Sequence, residues 1–144
     1  MKRPEQATSD DDTCGIEAAL TKARHGLSRL TPHQTQAAAE RGAIVVDTRT
    51  EAQRKDQGEI PGVRVIDRTV LEWRLDPACS EHIPEAVDYD VEIVVICRQG
   101  YSSSLAAASL RSIGLRRATD MIGGVDAWIE AGLPLFSTPP DVRP

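Results

Sequence analysis

At 144 residues, 40% of them apolar, the chain is long enough to bury the core of one domain without staples. Its 17 basic residues against 22 acidic ones leave a net charge of −5, which argues against nucleic acid as a partner, and no apolar stretch is long enough to cross a bilayer. Three cysteines, Cys14, Cys79 and Cys97, are too few and too irregularly placed for a disulfide framework or a zinc site. With no apolar leader in MKRPEQATSDDD, reduced thiols in a cytoplasmic protein without metal or cofactor are the expectation.

Residues 1–14 read as a polar tail, with Asp10, Asp11 and Asp12 in a row and too little apolar surface to order the chain. A single domain follows over 15–136, and Pro139, Pro140 and Pro144 mark an irregular end over 137–144. Gly15 to His25 predicts a helix with Ile16, Leu20 and Ala23 along one side, stopped by Gly26. Leu27 to Leu30 predicts a short first strand. The next helix opens with Thr31 as N-cap, Pro32 at the first helical position and Gln34 three residues after the cap, and runs to Arg41. Ala43 to Asp47 is a compact apolar strand, and Thr50 to Gln57 a polar helix or loop. Gly58 to Gly62 is a turn, Val63 to Ile66 a strand, and Arg68 to Leu75 a helical turn around a buried Trp73. Asp76 to Asp90 holds two prolines and several charges and reads as loop and short helix.

Val91 to Ile96 is a β-branched run suited to an interior strand, and from Ser102 the period changes, with Ala106, Leu110 and Ile113 at i, i+4 and i+7 and Gly114 to end the helix. Arg117 to Ile122 adds a strand and Val125 to Ala131 a helix, with Trp128 inward and Gly132 as its stop. Strands alternating with helices imply a parallel sheet covered on both faces.

The chemistry gathers between that strand and helix, in Cys97-Arg98-Gln99-Gly100-Tyr101-Ser102-Ser103. A cysteine at the carboxyl end of a parallel strand occupies the ligand crevice of an open α/β sheet. A sharp loop with Gly100 turns successive N–H groups inward as an anion nest, and the helix behind it adds its own free N–H groups. A thiol there is expected to ionise more readily than usual. Ser102 and Ser103 add hydroxyls or serve as an N-cap. Arg98 is either a mobile cation for the site or a solvent-exposed side chain. Cys14 and Cys79, by contrast, read as ordinary packing residues.

The loop CRQGYSS, with GEIPG upstream and GGVDAWIEAGLPL downstream, resembles the rhodanese (thiosulfate sulfurtransferase) domain over roughly residues 27–135. Asp47-Thr48-Arg49 is similar to that family's Asp-x-Arg element, and Glu59-Ile60-Pro61-Gly62 to its His-Ile-Pro-Gly turn with Glu for His. The resemblance implies an open five-stranded parallel sheet with helices on both faces. It also implies double displacement through a Cys97 persulfide, from a small anionic sulfur donor such as thiosulfate to cyanide or a thiol. Cys97 is then the catalytic residue, with Arg98, Gln99, Gly100, Tyr101, Ser102 and Ser103 binding substrate. Many rhodanese loops carry Arg at the fifth position after the cysteine, where this chain has Ser102. Arg68 and Arg74, following the strand that ends at Ile66, are candidates for the missing charge or else plain surface residues. Asp47 and Arg49 read as a structural pair.

Other readings compete with this one. A phosphatase of the Cys-x5-Arg type needs a guanidinium six residues after the cysteine to grip phosphate, where this chain has Ser103. A sulfur-carrier or redox-sensing module, loaded by a partner protein rather than by free thiosulfate, remains the alternative.

Overall fold

The computed structural model describes residues 14–136 and 139–144. Nearly all of the expected polar tail, residues 1–13, lies outside that range. Helix α1 spans Gly15–Arg24, and α2 spans Pro32–Glu40. The α2 start closes as a capping box, with Thr31 Oγ1 accepting from Gln34 N and Gln34 Oε1 accepting from Thr31 N. Strand β1 is Ile44–Asp47 and α3 is Glu51–Gln57, the latter opened by a second capping box from Thr50 and Gln53. Strand β2 is Arg64–Val65, and a 3-10 turn at Arg68–Val70 leads into α4, Leu71–Leu75. Strand β3 (Ile93–Ile96), helix α5 (Ser102–Ser112), strand β4 (Ala118–Asp120), helix α6 (Gly124–Glu130) and strand β5 (Asp141–Val142) complete the chain.

The five strands form one parallel sheet in the order β4-β3-β1-β2-β5. Because side chains alternate across a strand, Ile44, Val46, Ile93 and Val95 face one side while Val45, Val94 and Ile96 face the other. The first set packs with Leu71, Leu75, Ala106, Ala107 and Leu110 of α4 and α5. The second packs with Ala38, Val125 and Trp128 of α2 and α6. Both central strands are buried along their whole length, which is why they read as unbroken apolar runs. Trp128 is core, as expected, with its indole N–H donated to Pro134 O at 3.0 Å. Among the described residues no helix is long and apolar enough to cross a membrane.

Four local expectations are corrected. Leu27 to Leu30 is not a strand but a single bridge, Leu30 to Met121. The fifth strand lies instead in the stretch expected to be irregular, where Asp141–Val142 pairs with β2. Trp73 is 57% exposed, because Leu71 and Leu75 sit one helical turn apart and take the inner face, leaving the residue between them outside. Ile113 is also largely out of the core, at the C-cap just past the last turn of α5.

Candidate active site

In the strand order, β1 connects toward β2 on one side while β3 connects toward β4 on the other. The carboxyl ends of β1 and β3 therefore flank the crevice where the connections diverge, and Cys97 follows the last residue of β3. The β1 end is built as a rigid wall. Asp47 and Arg49, both fully buried, form a two-pronged ion pair at 2.8–3.1 Å, and Arg49 also donates to Gly58 O at 2.9 Å. Arg54 adds bonds to Arg49 O and to Glu59, so the Asp-x-Arg and Glu-Ile-Pro-Gly elements are tied into one unit.

The loop after Cys97 turns three of its carbonyls outward, where each is caught. Cys97 O accepts from Val125 N at 2.9 Å and Arg98 O from Asp126 N at 3.0 Å, both at the start of α6. Gly100 O accepts from two guanidinium groups, Arg24 at 2.8 Å and Arg29 at 3.0 Å. Close approach makes glycine obligatory here. A Cβ on Gly124 would lie 2.5 Å from Cys97 O and Arg98 C, and one on Gly100 would lie 2.6 Å from Gly123 N. Both residues also have positive φ, at +63° and +85°.

With its carbonyls drawn out, the loop offers its N–H groups inward. Cys97 Sγ, in a residue only 6% exposed, accepts from Gly100 N at 3.1 Å and from Ser103 N at 3.3 Å. The N–H groups of Arg98, Gln99 and Tyr101 find no acceptor among the described residues. Burial alone pushes the Cys97 thiol up, but the hydroxyls of Ser103 and Ser102 and the Ser103 and Gly100 N–H groups outweigh it and hold the thiol below its ordinary value. The Ser103 hydroxyl has one proton, and Asp120 Oδ2 takes it at 2.7 Å. The lasting support for an anionic sulfur is therefore the backbone N–H groups of Gly100 and Ser103 together with the Ser102 hydroxyl.

Asp120, at the end of β4 and fully buried, organises the rear of the site. It accepts from Ser103 and Ser104 hydroxyls, each at 2.7 Å, and from Arg29 through two contacts at 2.9 and 3.2 Å. Ser104 Oγ in turn accepts from Arg24 Nε at 3.0 Å. Sequence reasoning missed Arg24, Arg29 and Asp120. The one signal was an acidic residue inside the run Arg117 to Ile122, where a buried carboxylate demands partners.

The expected site residues divide into two groups. Gly100, Ser103 and Cys97 come together, and Gln99 reaches Asp126 at 3.4 Å. Tyr101 is 57% exposed and is itself the N-cap of α5, so Ser102 is the first helical residue rather than a cap. Arg98 is paired with Asp56 at 3.2 Å. Arg68 is paired with Glu72 at 2.9 Å, and Arg74 donates to Pro144 O at 2.8 Å. None of these three arginines hydrogen-bonds within the Cys97 loop. Arg68 lines a separate open cavity of about 650 Å³ with Trp73, Cys79 and Ser109.

A buried thiol cradled by backbone N–H groups at the switch point of a parallel sheet defines an α/β domain with a cysteine-centred loop at its ligand crevice. The family model for the rhodanese-like domain matches residues 31–131, and the chain belongs to that family. Thiosulfate sulfurtransferase GlpE of Pseudomonas fluorescens strain Pf-5 is 36% identical over 102 residues, spanning 71% of this chain and 84% of that protein. A sulfurtransferase of Allochromatium vinosum is 36% identical over 94 residues, spanning 65% and 78%. Among solved structures, a Rhodopseudomonas palustris protein of unknown function, described as a possible tyrosine phosphatase, is 32% identical with a TM-score of 0.76, covering 85% of this chain and 95% of that one. Sulfur transfer is the class of activity, and the fold is that expected from the sequence.

Proposed function

We propose that this protein moves sulfane sulfur from thiosulfate, or a similar small anionic donor, to cyanide or a thiol through a persulfide on Cys97. The Cys97 thiolate attacks the outer sulfur; the sulfur–sulfur bond of the donor breaks, and sulfite departs with the electron pair. The acceptor nucleophile then attacks the outer sulfur of the persulfide and the Cys97 thiolate leaves, ready for another cycle. The observation that carries this reading is Sγ held at 3.1 and 3.3 Å by two loop N–H groups, with three more unclaimed in the same loop. Fixed donors of this kind stabilise an anionic sulfur without reorganising. A cytoplasmic setting, where thiols stay reduced, suits such a nucleophile.

The Arg98–Asp56 pair favours one alternative, a sulfur-carrier or redox-sensing module loaded by a partner protein, because it engages the cation nearest in sequence to Cys97 with a carboxylate rather than leaving it for a free dianion. Weighing the intact protein after incubation with thiosulfate decides between the two. A gain of one sulfur atom, absent in Cys97→Ser, is expected. No gain from thiosulfate but a gain from a cysteine-desulfurase donor transfers the assignment to the carrier. A gain that survives Cys97→Ser removes Cys97 from the chemistry. The phosphatase reading lacks its guanidinium, since Ser103 stands in that place and gives its hydroxyl to Asp120.

A further inference from the structure

Arg24 and Arg29 precede the stretch that the family model matches. Arg24 ends α1, a helix that packs along α5 with Leu20 buried, and Arg29 lies in the connection to α2. Both guanidinium groups converge on one atom, Gly100 O. A peptide unit is planar and trans, so its C=O and N–H point in opposite directions. The partner of Gly100 O in that unit is the Tyr101 N–H, which has no acceptor among the described residues. Drawing Gly100 O backward therefore turns the Tyr101 N–H forward, to the side of the loop that holds sulfur. The same logic ties Cys97 O to Arg98 N–H and Arg98 O to Gln99 N–H, but those carbonyls are held by neutral N–H groups of α6. Only Gly100 O is held by charge, and charge-assisted hydrogen bonds are roughly twice as strong as neutral ones.

We infer that Arg24 and Arg29 are positioning residues for the Cys97 loop: by clamping the Gly100 carbonyl they keep the Gly100–Tyr101 peptide turned so that its N–H serves the anionic sulfur. Asp120 holds Arg29 in place, and Ser104 holds Arg24. An unclamped peptide is free to rotate its carbonyl toward sulfur, where it repels an anion. The charged groups around the loop are Arg24 from α1, Arg29, Asp120 from β4, Asp126 from α6, and Arg98 with Asp56 of α3. Of these, Arg24 has no carboxylate partner among the described residues. The inference rests on Cys97 as the nucleophile and not on the identity of the sulfur donor.

The test is the pH dependence of Cys97 alkylation by iodoacetamide in the full chain, read by peptide mapping so that Cys14 and Cys79 do not interfere. Arg24→Gln is expected to move the midpoint upward and slow alkylation at neutral pH by about three- to tenfold, at an unchanged melting temperature, with Arg24→Lys restoring most of the rate. Arg29→Lys keeps a cation against Asp120 while giving up the second contact, and is expected to shift the midpoint in the same direction by less. It decides the matter if Arg24→Gln does not fold. A folded variant with the wild-type profile overturns the assignment for that residue. If the wild-type protein takes no sulfur from thiosulfate while the variants still shift the alkylation midpoint, the substrate reading fails and the positioning role stands.

Discussion

At the scale of single residues, the site is a buried thiol whose ionisation is decided by what surrounds it. Hydrogen bonds to Sγ outweigh burial and hold Cys97 below its ordinary value of 9.0. The alkylation midpoint of the wild-type protein should therefore fall below that of a free thiol. Below the midpoint the rate should drop by about tenfold per pH unit, as the thiolate is the reacting form. A midpoint at or above the free-thiol value would contradict the geometry of Gly100 and Ser103. Asp120 is the second decisive residue. It accepts from Ser103, Ser104 and Arg29, so Asp120→Ala strands a largely buried guanidinium and two hydroxyls. A loss of about 3–5 kcal/mol in urea unfolding is expected, the range for breaking one half of a buried pair.

At the scale of elements, the loop is held between the start of α6 and the N-terminal α1 segment. Gly124 and Gly42 separate steric clash from backbone strain, because both have positive φ. Gly42 has nothing within 4 Å of a would-be Cβ, whereas Gly124 has backbone atoms of the Cys97 loop at 2.5 Å. Gly42→Ala should cost about 1–2 kcal/mol, the price of the left-handed conformation alone. Gly124→Ala should cost more and also slow Cys97 alkylation, since the loop must move to admit the methyl group. Equal effects of the two substitutions on alkylation would refute the packing role given to Gly124.

At the scale of the whole molecule, the sheet is finished by residues distant in sequence. Strand β5 joins β2, and Arg143 bonds Glu85 through two contacts at 2.7 and 2.9 Å, with Asp141 and Arg64 nearby. The Arg143 guanidinium holds the Glu85 carboxyl at about 2, below its ordinary 4.5. A carboxyl depressed on folding stabilises the protein above its unfolded value, and that contribution fades as pH falls from 4.5 toward 2. The unfolding free energy of Glu85→Gln should therefore lie below that of wild type by about 1 kcal/mol or less at neutral pH, with the gap closing over this acid range. A gap that persists at pH 2 would assign the loss to packing instead.

The local signals in the sequence determined much of this protein. Two β-branched runs became the central strands, Thr31 with Gln34 became a capping box, and Cys97 with Gly100 marked the loop whose N–H groups hold the thiol. Each of these rests on the periodicity or chemistry of neighbouring residues, which one stretch of chain is enough to display. What only the tertiary structure decided came from contacts between distant segments. Arg98, the cation nearest in sequence to Cys97, is turned to Asp56, while Arg24 and Arg29 arrive 76 and 71 residues from Gly100 to hold its carbonyl. The last strand has two residues, too few for any period, and forms because β2 offers an edge and Glu85 a charge. A guanidinium reaches far enough that its partner is set by the packing of helices rather than by its place in the chain.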